Sequence, residues 1–121
     1  MKKRLLFCFG LIATTSAAFA TPYDGIYRPA SANGAAWTCR SMDGGMDGGA
    51  VAIQGDRLQG VGNSCLLTNP VDVRGMSATL YDAECSGEGA TYTERLMLMK
   101  SHDGGVVVIR DGWAANWARC N

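Results

Sequence analysis

Beyond Ala20 the chain has no phenylalanine, a single lysine (Lys100) and a single histidine (His102), and it contains no C-x-x-C pair. Each shortage removes a class of function. With almost no lysine there is no basic stripe to neutralise a phosphate backbone, so nucleic acid is not an expected partner. One imidazole and no close thiol pair leave a zinc site without its usual ligands. Past the leader, no apolar run approaches the roughly 18 residues that cross a bilayer as a helix. The helical signal is also missing, because no 3.6-residue apolar pattern persists for about ten residues.

What is present begins with a leader. Met1-Lys2-Lys3-Arg4 is a positive start, Leu5 to Ala13 is a short apolar run, and Ala18-Phe19-Ala20 is an A-x-A site before Thr21-Pro22. Residues 1–20 therefore read as a secretory signal peptide of bacterial type, and 21–121 as a single β domain. Cys8 sits inside the apolar run and not at the cleavage junction, so no lipid anchor is expected. Losing Lys2, Lys3 and Arg4 leaves eight basic side chains against 11 acidic ones, a net charge of −3. The expected location is the periplasm, or the medium beyond it.

Cys39, Cys65, Cys85 and Cys120 remain, an even set in an oxidising compartment, which favours two disulfides over metal binding. Four cysteines allow three connectivities. Arg74-Gly75-Met76-Ser77 lies midway between Cys65 and Cys85, with β-forming runs on both sides. A reversal there sets these two opposite each other, at the separation a disulfide needs, and leaves Cys39 for Cys120. Asn69-Pro70 interrupts the first run, since proline has no N–H for the ladder, and calls for a bulge or an edge position.

Elsewhere, short β-forming runs alternate with glycine-bearing turns. The runs are Gly25 to Arg28, Trp37 to Arg40, Val51 to Gln54, Leu58 to Gly62, Cys65 to Val73, Ala78 to Cys85, Thr91 to Lys100, Val106 to Ile109 and Trp113 to Cys120. Gly55-Asp56 suits a type II′ turn, and Asp103-Gly104 and Asp111-Gly112 suit type I′. The pattern predicts an all-β fold, an antiparallel meander or barrel of about eight short strands. Alternation assigns Val71, Val73, Tyr81, Ala83, Met97, Met99, Val106, Val108, Trp113, Ala115 and Trp117 to the core face. The other face then holds Asp72, Asp82, Glu84, Glu94 and Asp111 but also Leu66, Leu80, Leu96, Leu98, Val107 and Ile109, so either one register is off by a residue or that face is partly covered. Trp113 and Trp117 are the expected core fillers, and Tyr23 and Tyr27 the expected surface aromatics. Ile26 and Trp37 would be open edges if the barrel fails to close. Oligomeric state is not readable.

No catalytic constellation emerges. Ser101-His102-Asp103 are consecutive at a hairpin tip, whereas triad members converge from separate elements. Asp43 and Asp47 in a double Asp-Gly-Gly repeat offer carboxylates to calcium but lack an EF-hand's alternating ligands, so solvated turns are expected. Asp82, Glu84, Glu88 and Glu94 surround one loop and suggest a glycosidase-like carboxylate pair, although acids beside glycine at hairpin loops are ordinary surface residues. Arg95, Arg110 and Arg119 are expected to pair with neighbouring acids. No cofactor motif is found.

Tyr23-Asp24-Gly25-Ile26-Tyr27, Trp37-x-Cys39, Cys65-Leu66-Leu67, Cys85-Ser86-Gly87-Glu88-Gly89 and Arg119-Cys120 together resemble a group of small secreted four-cysteine proteins of Gram-negative bacteria. That group carries no assigned activity, so the resemblance implies a compartment and a fold style but no site. In size, compartment and mild acidity the chain is also similar to periplasmic lysozyme inhibitors, small disulfide-bonded β-barrels that plug a basic enzyme with loop residues. No residue of their loop motif is matched. The expectation is a non-catalytic domain binding an envelope protein or ligand, or inhibiting a cationic hydrolase such as lysozyme. The enzyme alternative is a small carboxylate-dependent hydrolase, and a structural role in the envelope is a further one.

Overall fold

The computed structural model describes Gly10 and residues 20–39, 50–60 and 62–120. The leader and the Asp43/Asp47 repeat lie outside these residues, apart from Gly10 and Ala20. Eight strands follow in order: β1 (Gly25–Pro29), β2 (Val51–Gln54), β3 (Arg57–Gly60), β4 (Asn63–Asp72), β5 (Ala78–Gly87), β6 (Ala90–Lys100), β7 (Val106–Arg110) and β8 (Trp113–Arg119). Each pairs antiparallel with the next, and β8 returns to β1, so the meander closes into a barrel. A 3-10 helix, Ala32–Ala36, follows β1. No α-helix occurs among the described residues, nor any helix long and apolar enough to cross a membrane.

Both disulfides form as the register argument requires, Cys65 to Cys85 and Cys39 to Cys120. Cys65 and Cys85 are directly opposed residues of β4 and β5, both buried, with Cα atoms 4.0 Å apart. Cys39 does not extend a strand. Residues 37–39 are irregular backbone after the 3-10 helix, with Cys39 at φ 56°, so the expected strand Trp37 to Arg40 is absent over its described part. Ile26 is no open edge either, since β1 is paired on both sides.

The core differs from the expected face in two strands. In β4 the ladder shifts between Thr68 and Val71, where Asn69 takes φ 51° ahead of Pro70. The bulge anticipated at Pro70 is there, and it also reverses the side-chain alternation. Val71 therefore stands outside at 55% exposure, while Asp72 lies opposite Thr79. In β6 the inward residues are Leu96 and Leu98, and Met97 and Met99 lie on the outer face. The cause is the turn, which has two residues, Glu88-Gly89, both with positive φ as a type I′ turn demands. An even loop places Leu96 opposite Tyr81, and a one-residue slip exchanges every side chain between faces. Gly55 fits type II′, but at Asp103-Gly104 and Asp111-Gly112 only the glycine has positive φ, which excludes type I′ there.

The resulting core gathers Tyr23, Tyr27, Val51, Ile53, Leu58, Leu67, Tyr81, Leu96, Leu98, Val106 and Val108 around the buried disulfide. Tyr23 and Tyr27 are thus interior and not surface aromatics. Trp117 packs against this core and meets Trp37 edge-on, with ring centroids 5.8 Å apart. Trp113 lies on the inward side of β8 but at its very start, where the wall ends, and it is 53% exposed.

Candidate functional site

The two ends of the barrel are finished differently. One end carries the turns β2–β3, β4–β5 and β6–β7 and is closed by the segment preceding β1. There the Tyr27 hydroxyl donates to the Tyr23 carbonyl at 2.6 Å. The Thr79 hydroxyl donates to Asp72 Oδ1 at 3.1 Å, so its single proton is used and Tyr23 is the donor in the 2.8 Å bond between the Tyr23 and Thr79 hydroxyls. Arg119, expected to pair with an acid, instead lies 5.4 Å from the Tyr27 ring centroid. Its guanidinium donates to the Tyr27 hydroxyl and to the carbonyls of Asp24 and Gly104. Burial pushes the Asp24 carboxyl up. Hydrogen bonds from the Gly55 N–H and from the Thr21 hydroxyl and N–H outweigh it and hold the group below its usual value. Burial raises the Tyr27 hydroxyl.

At the other end no comparable plug occurs among the described residues. β6 pairs with β7 only from Leu96 onward, so Ala90 to Arg95 and the Glu88-Gly89 turn rise above the β7–β8 turn as a tall wall beside a low one. Period two carries Glu94 inward from Leu96 and Arg110 inward from Val108. Across the step in the wall, Arg110 Nε donates to Glu94 Oε1 at 2.7 Å, with side-chain exposures of 19% and 26%. The same guanidinium lies 5.0 Å from the ring centroid of Trp113. On the tall side, Asn63 Nδ2 donates to the Tyr92 hydroxyl at 3.2 Å, and Tyr92 is 41% exposed.

Below this rim a cavity of about 180 Å³ is lined by Val51, Leu58, Gly60, Asn63, Val108, Arg110 and Trp117. Asn63 and Tyr92 also border a shallower outer hollow of about 240 Å³ with Gly62, Gly87 and Glu88. The open end therefore offers an apolar floor, one fixed guanidinium, an amide, and two exposed aromatic rings.

The residues singled out in the sequence do not converge. Asp82 and Glu84 lie on the outer face of β5, with Arg95 Nε 3.4 Å from Asp82 Oδ1. Glu88 is at a turn tip and Glu94 faces inward, so no two of these carboxylates face each other across a cleft. His102 is an exposed turn residue, and Asp103 accepts from the Ser101 hydroxyl and from the Gly105 N–H. Both hydrogen bonds lower the Asp103 carboxyl. Cys65, Cys85 and Glu94 bring their ligand-type atoms within 4.8 Å of one another. The two sulfurs are bonded to each other, however, and a disulfide offers no thiolate to a metal. Arg110 pairs with an acid as expected; that the acid is Glu94 was not specified, and each charge continues an inward apolar period, Arg110 from Val108 and Glu94 from Leu96. Comparison with protein-family models, curated proteins and solved structures finds no match.

Proposed function

We propose that this chain is an exported, non-catalytic binding domain of the bacterial cell envelope. It is cut after Ala20, acts in the periplasm or outside the cell, and engages a protein through the rim of its open end. The observation that carries this reading is the clustering of Trp113 and Tyr92, exposed at 53% and 41%, on a rim whose counterpart is plugged. Tryptophan and tyrosine are the residue types that anchor protein interfaces. Two disulfides support the oxidising compartment.

Charge favours a basic partner. Arg110 is balanced by Glu94, which leaves Glu88 and Asp111 as acids of the β5–β6 and β7–β8 turns. The β5–β6 turn stands above the β7–β8 turn and carries Glu88 at its tip, so the sharper form of the reading is an inhibitor of a cationic hydrolase such as lysozyme. A carboxylate-dependent hydrolase gains no support from acids lying on opposite faces of the wall.

Titrating lysozymes of several classes with the oxidised protein tests the inhibitor form. Inhibition that weakens with salt and with Glu88→Lys is expected, and undiminished lysis at large molar excess removes it. Pull-down from periplasmic extract tests the broader reading. The partner must be stoichiometric and lost with Trp113→Ala, and retention by that variant would move the interface off the rim.

A further inference from the structure

The cavity beneath the rim has the make-up of a small-molecule site. Val51, Leu58, Val108 and Trp117 give it apolar walls, and its volume of about 180 Å³ suits a single ring. For scale, an apolar cavity on the order of 150 Å³ holds benzene. Gly60 and Asn63 complete the lining, and a Cβ at Gly60 would collide with Asn63 Oδ1 and displace the amide that donates to Tyr92.

Arg110 supplies the polar wall. Glu94 takes its Nε, and Trp113 packs against the guanidinium. Among the described residues no acceptor takes Nη1 or Nη2, so that edge is left for an acceptor within the cavity. The guanidinium's charge is already balanced by Glu94, and the acids Glu88 and Asp111 stand in the rim turns. A second carboxylate would enter a net negative surrounding, whereas a carbonyl oxygen needs only the N–H donors.

The geometry points to a site for a small uncharged ring compound bearing one carbonyl oxygen, its ring against Trp117 and Val108 and its oxygen on the terminal nitrogens of Arg110. This goes beyond the rim reading, since it concerns the space beneath the rim and needs no protein partner.

NMR titration of the oxidised protein with benzamide, benzoate and toluene tests it. Benzamide should bind saturably, with shifts centred on the Val51, Leu58 and Val108 methyls and the Trp117 indole, and benzoate should bind more weakly. Arg110→Lys keeps a cation opposite Glu94 but loses the second donor edge. It should weaken benzamide by about tenfold and leave toluene unchanged. The proposal is overturned by no saturable benzamide shift in the tens of millimolar, by shifts centred outside the cavity, or by benzoate or toluene binding as tightly as benzamide. An Arg110→Lys variant that binds benzamide undiminished overturns the role given to the guanidinium. Loss of rim binding to a protein partner touches none of these outcomes.

Discussion

The plugged end and the open end are made by the same strands, yet they treat polar and aromatic groups in opposite ways. At the plugged end the hydroxyls of Tyr23 and Tyr27 are turned inward and spent on Thr79 and the Tyr23 carbonyl, and Arg119 is spent on backbone oxygens and the Tyr27 hydroxyl. At the open end Trp113 and Tyr92 keep much of their surface in water, and the one strong polar contact, Glu94 to Arg110, is only half-buried. A buried hydroxyl without a partner is costly, so the first arrangement has value only as structure. Exposed aromatic surface adds little to folding and is available to a ligand. Stability and, in the proposed reading, recognition are thus assigned to opposite ends.

Substitutions should break that contrast in a graded order. Replacing Cys39 and Cys120 together by serine releases a link across 81 residues, and denaturant melts should show a loss of about 4 to 5 kcal/mol. The Cys65/Cys85 double alanine variant, spanning 20 residues, should lose about 3 kcal/mol from the bridge itself. Equal losses would mean that the closing seam does not depend on its staple. Tyr27→Phe removes only the hydroxyl that donates to Tyr23, and equilibrium unfolding should register about 1 to 2 kcal/mol.

Asp24 sharpens the comparison through pH. Its folded pKa lies below that of an ordinary aspartate, so its contribution is present above the unfolded pKa and is lost as pH falls through the folded one. The acid side of the stability profile should therefore flatten in Asp24→Asn, with no change in slope near neutrality. An unaltered acid limb would separate the plug from that carboxylate. The smallest effect should come at the open end, where Trp113→Ala should move stability by no more than about 0.5 kcal/mol. A larger drop in a thermal melt would make that ring part of the core.

The meander, the staples and the strand count were legible because each rests on local signals: turn residues between β-forming runs, and a reversal at Gly75 that puts Cys65 opposite Cys85. The face assignment in β6 was not legible. Ser86-Gly87-Glu88-Gly89-Ala90 has two glycines, so the centre of the turn is ambiguous by a residue, and Leu96 with Leu98 is as apolar as Met97 with Met99. Pro70 announced a bulge but not the turn-over of everything after it. Tyr23 lies before the first strand, where no period constrains it, and only the closed wall shows that its ring fills an end. The rim was half-legible. Glu94 and Arg110 each sit in step with inward residues, but their meeting depends on β6 outreaching β7, a difference in strand length that no residue pattern states.

The seam between β1 and β8 has a further consequence. The N–H of Cys120 donates to the Ile26 carbonyl at 2.8 Å, and Arg119 reaches the Asp24 carbonyl at 3.2 Å, so the flanks of the first and last strands lie side by side. A meander closed in this way is a cycle with one cut in it. Chain order around that cycle is a convention of where the cut falls, and a short linker across the seam, with a new opening at the Gly75 turn, would describe the same circle of neighbours.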